Sequence, residues 1–414
     1  MTSTAGCMSA LAWSCCNNGL NLSSRPVVEF GDWPGRIVFG RGAVARLGME
    51  AARLGASRAL VVCGTSVAGG PMLAKVKAGL GATFVEAFSE VAAHTPIETI
   101  ERGVTKVHAL GADVLISVGG GSAIDTAKAI AIVLASKGKL AQYAIRYEPG
   151  GEMQSAPLPI PLIRHIAVPT TAGSGSEVMP TAACRDPQSH KKLLFWDGAL
   201  VPQAAILDPE MAIYAGARLT AASGMTAVAR CVEALYSGKR HPMSTALALH
   251  ALRLLGTGLP DSVESPHDLD ARGACQIAAA MASMAALNAM ASLVHAIGHI
   301  VGGRYGLQHG ISHAILLAPA MRLLLPVIGS EQSLVCDALT GGSAGQVDRS
   351  HASAADLIDQ LVGRLPLPRR LRDVGVAASE LSDIAGETMS DYMMANLPKQ
   401  VAQPQVLALL QQAW

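Results

Sequence analysis

Four histidines in the C-terminal third of the chain have the spacing that most strongly suggests chemistry. His295 and His299 are four residues apart, and so are His309 and His313, so each pair faces one way from a helix. Imidazoles ligate zinc or iron, act as acids or bases near neutral pH, and shuttle protons. A lone buried histidine is usually only a packed core residue, but four of them in one apolar neighbourhood predict a functional site.

Two loops rich in glycine and hydroxyl groups offer a second kind of chemistry. Gly119-Gly-Gly-Ser122 follows a predicted strand and opens a helix, where backbone N–H groups can point at a phosphate. The alternative is a tight strand–helix turn, and the segment lacks the GxGxxG spacing of an ordinary Rossmann loop. The second loop, Pro169 to Glu177, either lines the same site or only begins a helix, with Ser174 or Ser176 as its cap. Ligands bind open sheets at the ends of successive strands, so we expect both loops at one site.

The elements that must position these residues alternate over the first half of the chain. Apolar runs predict strands at 36–39, 59–63, 83–88, 114–118, 165–168 and 205–207. Helical spacing predicts helices between them at 42–54, 71–81, 97–110 and 123–136. Such alternation is typical of an α/β domain with a doubly wound, mainly parallel sheet.

From residue 209 onward the pattern changes, and no convincing strand remains. Helical spacing recurs at 221–237, 244–255, 271–302, 312–325, 352–362 and 404–414. We therefore predict three parts. They are a disordered extension over 1–25, an α/β dinucleotide-binding domain over 26–208, and an all-α substrate and catalytic domain over 209–414.

The composition argues against a nucleic-acid-binding, membrane or disulfide-rich protein. The 414 residues are 50% hydrophobic and 15% charged, with a formal net charge of +1. A chain with such balanced charges has no general electrostatic attraction for nucleic acid or for an anionic membrane. The eight cysteines include no CxxC pair, which favours reduced thiols over a zinc ribbon or a disulfide scaffold. The N-terminus lacks signal-peptide features, and the Ala- and Met-rich stretch 277–294 is expected to be a buried helix. We predict a cytoplasmic protein that binds a small-molecule substrate and neither nucleic acid nor membrane.

Five longer motifs occur in a fixed order along the chain. They are GGGSAIDTAKAIA from Gly119, PTTAGSGSEV from Pro169, ILDPEM from Ile206, SGMTAVARCVEALY from Ser223, and LVHAIGHIVGG followed by QHG from Leu293. With them the chain resembles the iron-dependent (group III) alcohol dehydrogenase superfamily, which includes maleylacetate reductases, glycerol dehydrogenases and dehydroquinate synthases. The resemblance spans about residues 36–414 and implies a dehydroquinate synthase-like fold.

The resemblance implies which residues hold a nicotinamide cofactor, NADPH or NADH. The pyrophosphate loop would be Gly119, Gly120, Gly121 and Ser122, with Asp125 in the helix that the loop opens. The nicotinamide side would be lined by Thr170, Thr171 and Ser174, and the ribose side by Lys192. Gly64 stands where NAD-preferring members often carry an aspartate, and without that carboxylate a 2′-phosphate is acceptable.

The resemblance also implies a metal site, which the family builds from an aspartate and three histidines. Thr226 stands at the position of the aspartate, and Arg230 at that of one histidine. His295 and His309 keep the other two positions. A guanidinium is always protonated and cannot ligate a cation, so this metal site is degraded. We expect no catalytic iron or zinc.

Some details lean toward the maleylacetate reductase branch of the superfamily. The segment His94-Thr-Pro-Ile-Glu98 resembles that branch, and so does the spacing of His309 and His313. By contrast, residues 169–178 and Asp125 resemble the alcohol dehydrogenase branch. The chain therefore resembles a divergent member that leans toward maleylacetate reductase.

The predicted function is reduction of a carbonyl by NAD(P)H, without a metal, on a substrate that carries a carboxylate. Arg230 would supply a fixed positive charge. The proton would come from one of the four histidines, His295, His299, His309 or His313. The alternatives are a non-redox elimination, isomerisation or cyclisation in the same cleft, a metal-dependent alcohol dehydrogenase, and an inactive scaffold. We also expect a homodimer.

Overall fold

A computed structural model describes residues 35–92, 95–146, 154–185, 192–340 and 353–414 of the chain. The extension predicted over 1–25 lies outside these ranges. In the described ranges, every strand comes before residue 208, and only helices and connecting segments follow it.

The main sheet is built from six strands. They are β1 Ile37–Phe39, β2 Ala59–Cys63, β3 Phe84–Phe88, β4 Val114–Gly119, β5 Arg164–Pro169 and β8 Ala204–Leu207. All pairs are parallel, in the order β1–β8–β5–β4–β2–β3. Strands β2 and β4 are buried along their whole length, as expected where helices cover both faces of a parallel sheet. Gly119 pairs with Pro169, so the carboxyl ends of β4 and β5 lie side by side.

Five helices alternate with these strands. They are α1 Leu47–Arg53, α2 Thr65–Ala68, α3 Pro71–Leu80, α4 Ile97–Leu110 and α5 Gly121–Ser136. Helix α4 has the predicted bounds because Pro96 precedes it and Gly111, with a left-handed φ of 58°, ends it. The predicted α/β class with a parallel sheet is confirmed.

An antiparallel hairpin of two strands, β6 Thr181–Arg185 and β7 Lys192–Trp196, is not predicted by the sequence pattern. Its strands are short and carry no long apolar run. Ala182 and Phe195 become buried in the same apolar cluster as Ile130 of α5. The hairpin is therefore stabilised by tertiary packing.

The rest of the described chain is helical. Its helices are α6 Pro209–Ala212, α7 Ala217–Tyr236, α8 Pro242–Glu264, α9 Leu269–Ala289, α10 Leu293–Tyr305, α11 His309–Leu339, α12 Ala354–Gly363, α13 Leu381–Thr388 and α14 Gln403–Ala413. Helix α7 packs against α8, α9 and α11, and one large apolar core fills the space between them. Helix α11 is long and apolar enough to cross a membrane, but most of it is buried inside the protein, as in a core helix.

The prediction of one continuous helix over 271–302 is wrong. The segment forms α9 and α10, which meet at an angle of 107°. Met290 takes a left-handed φ of 64° at the break. A distant residue holds this break, since Nδ2 of Asn396 donates to the carbonyl of Ala291 at 2.9 Å. Helical spacing inside the segment carries no sign of that partner, so the break is not visible in the local pattern.

Candidate active site

The glycine-rich loop runs from the end of β4 into the first turn of α5. Gly119 has a φ of 150°, and Gly120 is extended before the helix begins. No side chain in the described chain caps the N-terminus of α5. The first N–H groups of this helix are therefore available to an anion, which suits the pyrophosphate of a nicotinamide cofactor.

The second loop, residues 169–177, lies directly against the first. The N–H of Thr170 donates to the carbonyl of Gly119 at 3.0 Å. A Cβ added to Gly120 would lie 3.2 Å from Oγ1 of Thr171. The structure therefore brings the two predicted loops together at one sheet edge, where even a Cβ at Gly120 would fit only tightly against Thr171.

Glycines also let the second loop pack under the helices. A Cβ on Gly173 would lie 2.0 Å from the carbonyl oxygen of Ser223 in α7. A Cβ on Gly175, whose φ is 60°, would lie 1.8 Å from Oγ of Ser283 in α9. Both contacts are far too short for any residue with a side chain, so these two glycines are structurally required.

Lys128 of α5 anchors the second loop, and sequence reasoning missed it. The side chain is 1% exposed, and its Nζ donates to the carbonyls of Ser176, Met179 and Thr181 at 2.7, 2.7 and 2.8 Å. Burial lowers the pKa of Lys128 to about 8, and nearby carboxylates oppose that shift. The sequence signal for this role is a single lysine among the apolar residues of α5.

Asp125, predicted at the cofactor, directs its carboxylate toward the second loop and the hairpin. Its Oδ1 accepts a hydrogen bond from Oγ of Ser176 at 2.5 Å, and Oδ2 accepts one from the N–H of Ala183 at 3.3 Å. These bonds make Asp125 a residue that holds the loop in place. Its contact with a cofactor stays a prediction.

Glu177 adds a buried acid to this network. It is 2% exposed, and its Oε2 has no hydrogen-bond partner among the described residues. Burial raises the pKa of Glu177, whereas the charges of Lys128 and Arg230 lower it. Lys128 and Arg230 therefore both lie near the side chain of Glu177.

Arg230 of α7 connects the second loop to the histidines. Its Nη1 donates to the carbonyls of Gly173 and Ser174 at 2.9 and 2.7 Å, and to Oγ of Ser283 at 2.8 Å. Its Nη2 and Nε make no hydrogen bond to any residue in the described ranges. Burial lowers the pKa of Arg230 and Glu177 raises it, but a guanidinium stays charged in proteins. One side of the guanidinium is thus held by the protein, and the other has no hydrogen-bond partner among the described residues.

The four predicted histidines form one cluster although they belong to two helices. The ring centroids of His295 and His313 are 4.2 Å apart, those of His309 and His313 are 6.0 Å apart, and those of His299 and His309 are 5.8 Å apart. The i, i+4 spacing within each helix and the packing of α10 against α11 produce this arrangement.

Two carboxylates hold histidines of this cluster, and sequence reasoning missed both. Glu233 of α7 is hydrogen-bonded through Oε2 to Nδ1 of His295. Asp391 is hydrogen-bonded through Oδ2 to Nδ1 of His299 at 2.9 Å. A signal for Glu233 existed, since it is an acid in the buried helix that also carries Arg230. No local signal connects Asp391 with a histidine so far away in the sequence.

His295 and His313 are neutral, and three of their four ring nitrogens have no hydrogen-bond partner among the described residues. Burial lowers the pKa of His295 and of His313 well below the usual range, and the charge of Arg230 contributes to both shifts. Nε2 of His295 and both ring nitrogens of His313 are buried without a hydrogen-bond partner in the part of the chain that the structure describes. Buried polar atoms in native proteins nearly always have a partner, so these nitrogens are candidates for contact with a ligand or water.

The residues at the metal positions implied by the resemblance do not fit a divalent cation. Oγ1 of Thr226 donates to the carbonyl of Ala222 at 3.5 Å, and it would lie 3.0 Å from a Cβ on Gly310. Arg230 is near enough for its charge to lower the pKa of His295. A hydroxyl and a guanidinium beside two imidazoles make a poor site for iron or zinc.

Gly64, Lys192 and His94 are predicted residues that lie outside the two loops and the histidine cluster or outside the described ranges. Gly64 lies between β2 and α2, where an added Cβ would make an ordinary contact of 3.5 Å with the carbonyl of Val91. Lys192 begins β7, but its side chain lies outside the described part of the structure. His94, which carries part of the resemblance to maleylacetate reductases, also lies outside it.

Comparisons with known proteins identify the family and agree with the fold. The family described as iron-containing alcohol dehydrogenase matches residues 34–209, and the C-terminal part of the Fe-containing alcohol dehydrogenase family matches residues 220–414. The chain is 32% identical over 266 residues to the NAD-dependent methanol dehydrogenase of Bacillus methanolicus, covering 64% of this chain and 68% of that protein. It is 30% identical over 418 residues to alcohol dehydrogenase 4 of Schizosaccharomyces pombe, covering 98% and 95% of the two chains. The crystal structure of maleylacetate reductase from Rhizobium sp. strain MTP-10005 matches with a TM-score of 0.78 and 29% identity, covering 94% of this chain and 99% of that one.

Proposed function

The chain belongs to the iron-containing alcohol dehydrogenase family and is an oxidoreductase. On that premise we propose that it reduces a carbonyl group with NAD(P)H, on a substrate that carries a carboxylate and without a catalytic metal. The observation that carries the proposal is Arg230, a fixed cation where the resemblance implies a metal ligand. One of its nitrogens is held by the second loop, and the others have no hydrogen-bond partner among the described residues. Similarity to alcohol dehydrogenases and a maleylacetate reductase supports the reaction class.

The two loops support NAD(P)H as the cofactor. The uncapped N-terminus of α5 and the bare backbone at Gly120 would hold the pyrophosphate, with Thr171 beside it. When bound, the cofactor supplies the hydride that reduces the carbonyl carbon. A relative named as NAD-dependent supports NAD(H). The missing carboxylate at Gly64 favours acceptance of NADPH as well, so we expect the two affinities to differ by less than about a hundredfold.

Arg230 would bind the substrate carboxylate or the oxygen on which negative charge develops. The planar guanidinium presents paired N–H donors that match a carboxylate. Because Nη1 is held by two loop carbonyls and Ser283, the group is already oriented before a substrate arrives. The oxygen of the reduced carbonyl also needs a proton, which would pass through the histidine cluster.

A substrate panel tests this proposal. Oxidation of NAD(P)H is followed by absorbance with oxo acids, with their uncharged esters, and with simple aldehydes. We expect turnover of oxo acids, and about a hundredfold lower kcat/KM for the esters, because a charged hydrogen-bonded contact is worth about 3 kcal/mol. Equal turnover of acids and esters would contradict the carboxylate requirement.

Metal analysis tests the second part of the proposal. The purified protein should hold far less than one equivalent of iron or zinc, and chelators should leave turnover unchanged. The double variant Thr226→Asp, Arg230→His is the matched control, because it restores the family's ligand types and should take up metal while it loses the native reaction. One tightly bound equivalent in the unmodified protein, with activity lost on chelation and restored on readdition, would instead indicate a metal-dependent alcohol dehydrogenase.

A non-redox elimination, isomerisation or cyclisation is a second candidate. The two carboxylate–histidine pairs favour it, since acid–base catalysis needs proton donors and acceptors but no net hydride transfer. Product formation without a net change in NAD(P)H absorbance would select this candidate. A homodimeric, cytoplasmic enzyme remains part of the proposal, and light scattering in solution tests the dimer.

A further inference from the structure

We propose that Lys128 is a positioning residue for Arg230, whose guanidinium it orients through the second loop. The inference deepens the proposed function and rests on it for the role of Arg230 in binding substrate. Lys128 lies in α5 of the α/β domain, and Arg230 lies in α7 of the helical domain. The loop between them then transmits the geometry of the cofactor side to the reaction side.

The ammonium of Lys128 is fully used on backbone. Its Nζ donates to the carbonyls of Ser176, Met179 and Thr181 at 2.7, 2.7 and 2.8 Å. A carbonyl can only accept, so three such contacts need all three N–H bonds of an ammonium. Ser176 and Met179 lie outside helices and strands, so no regular secondary structure holds their carbonyls. The ammonium takes that role and fixes the chain over 176–181.

A second side chain of α5 binds the same part of the loop. Oδ1 of Asp125 accepts a hydrogen bond from Oγ of Ser176 at 2.5 Å. Asp125 and Lys128 are three residues apart, so they lie on one face of the helix. Helix α5 therefore holds Ser176 by its backbone and by its side chain, and Ser176 is the fixed point of the loop on this side.

Arg230 is held by two residues just before this fixed point. Its Nη1 donates to the carbonyls of Gly173 and Ser174 at 2.9 and 2.7 Å. Glycine flanks Ser174 on both sides, and Gly175 has a left-handed φ of 60°. Because glycine backbone adopts many conformations, this short segment does not keep its own shape. The contacts of Ser176 therefore help to set the direction in which the two carbonyls point.

The direction of these carbonyls decides the direction of the guanidinium. Nη1 of Arg230 has a third acceptor, Oγ of Ser283 in α9, at 2.8 Å. Three oxygens on one nitrogen fix the plane of the group, whereas a single contact with Ser283 leaves it free to turn. The plane matters because a guanidinium binds a carboxylate with paired, coplanar N–H groups. Lys128 thus acts on the substrate side through the loop backbone.

The variant Lys128→Met removes the ammonium and keeps an unbranched side chain of similar length. Its matched control is Ile132→Ala, because Ile132 is fully buried in the same helix within the apolar core of the α/β domain. That control weakens the packing of α5 and removes no hydrogen bond to the loop. Lys128→Gln, which keeps N–H donors on a shorter side chain, takes the place of Lys128→Met if the latter does not fold.

The direct readout needs no substrate. It is a nitrogen–proton correlation spectrum of protein labelled with ¹⁵N arginine, with the Arg230 signals assigned from Arg230→Ala. A held guanidinium gives separate Nη1 and Nη2 signals, because rotation about the Nε–Cζ bond is slow. We expect separate signals in the unmodified protein and in Ile132→Ala. In Lys128→Met we expect rotation at least about tenfold faster, the scale of one lost hydrogen bond, and merged signals.

Kinetics test the consequence for the reaction. We expect kcat/KM for an oxo acid to fall about tenfold in Lys128→Met, because a misplaced binding group loses part of its effect. The uncharged ester should lose less than about threefold, and affinity for NADPH should stay within about threefold. In an Arg230→Ala background the same change should cost less than about threefold, since the group that Lys128 positions is gone.

Full kcat/KM for the oxo acid in a folded Lys128→Met protein would overturn the proposal, and so would merged Arg230 signals in the unmodified protein. Separate signals in Lys128→Met, an equal loss in Ile132→Ala, or the same loss in the Arg230→Ala background would also overturn it, because Lys128 would then contribute only stability. Merged signals in Lys128→Met, with no turnover of any oxo acid by the unmodified protein, would count against the proposed reaction while supporting the assignment of Lys128.

Discussion

The cofactor side and the reaction side of the candidate site are built from different parts of the chain. The cofactor side relies on glycine backbone beside a few hydroxyl side chains, and added Cβ atoms at Gly120 and Gly173 would lie 3.2 and 2.0 Å from their neighbours. On the reaction side the surface is side chains, in which Arg230 and the histidines point from packed helices. The first region depends on the absence of side chains at its glycines, and the second depends on the identity of its side chains.

This difference explains where the chain can change its chemistry without changing its fold. At Gly173 and Gly175 the second loop has no room for a larger residue. Thr226 and Arg230, in contrast, stand where the resemblance implies metal ligands, and α7, which carries them, packs among α8, α9 and α11. On the proposed function, a change of chemistry at the reaction side needs only exchanged side chains on the same packed helices.

Gly120→Val is expected to give the largest effect, because it puts a branched side chain against Thr171 where the backbone should meet the pyrophosphate. We expect NADPH affinity to fall at least about a hundredfold, or about 3 kcal/mol, in a calorimetric titration. Gly216→Val is the control, since nothing lies within 4 Å of a Cβ there, and its affinity should stay within about twofold. Unchanged affinity in a folded Gly120→Val protein would show that the cofactor does not use this loop.

Arg230→Ala tests the reaction side in the same way. We expect kcat/KM for an oxo acid to fall by about 3 kcal/mol, the scale of a lost oxyanion donor, with a much smaller loss for its ester. Ser283→Ala is the comparator, because it removes one partner of Nη1 and keeps the guanidinium. If both variants only weaken cofactor binding, and to the same extent, Arg230 acts by holding the second loop and not by binding substrate.

Lys128→Met gives the smallest expected effect, and it probes the buried contacts behind the cofactor loop. The pKa of Lys128 is lowered from 10.5 to about 8, so between these values the unfolded chain binds more protons than the folded one. Stability must then rise with pH in this window. The free energy of unfolding of the unmodified protein should increase relative to Lys128→Met by about 2 kcal/mol from pH 8 to 10. A constant difference in urea titrations over this range would mean that the ammonium keeps its ordinary pKa.

Much of the fold could be predicted because its signals are local. The apolar run 114–118 becomes the buried strand β4, and the spacing over 97–110 becomes α4 between Pro96 and Gly111. The hairpin of β6 and β7 could not be predicted, since its burial comes from packing against α5. The break at Met290 is likewise held by residues distant in the sequence.

The sequence by itself determined the kinds of groups that meet in this protein: glycines at a strand end, hydroxyls in a second loop, four histidines in two helical pairs, and an arginine, Arg230, in an apolar helix. Only the tertiary structure decided how these groups are held. Lys128 binds loop carbonyls, Glu233 binds His295, and Asp391 binds His299. The physical reason is that residue type and helical spacing are encoded locally. Hydrogen-bond partners of buried charges are decided by which helices pack together, and no pattern within one segment records that packing.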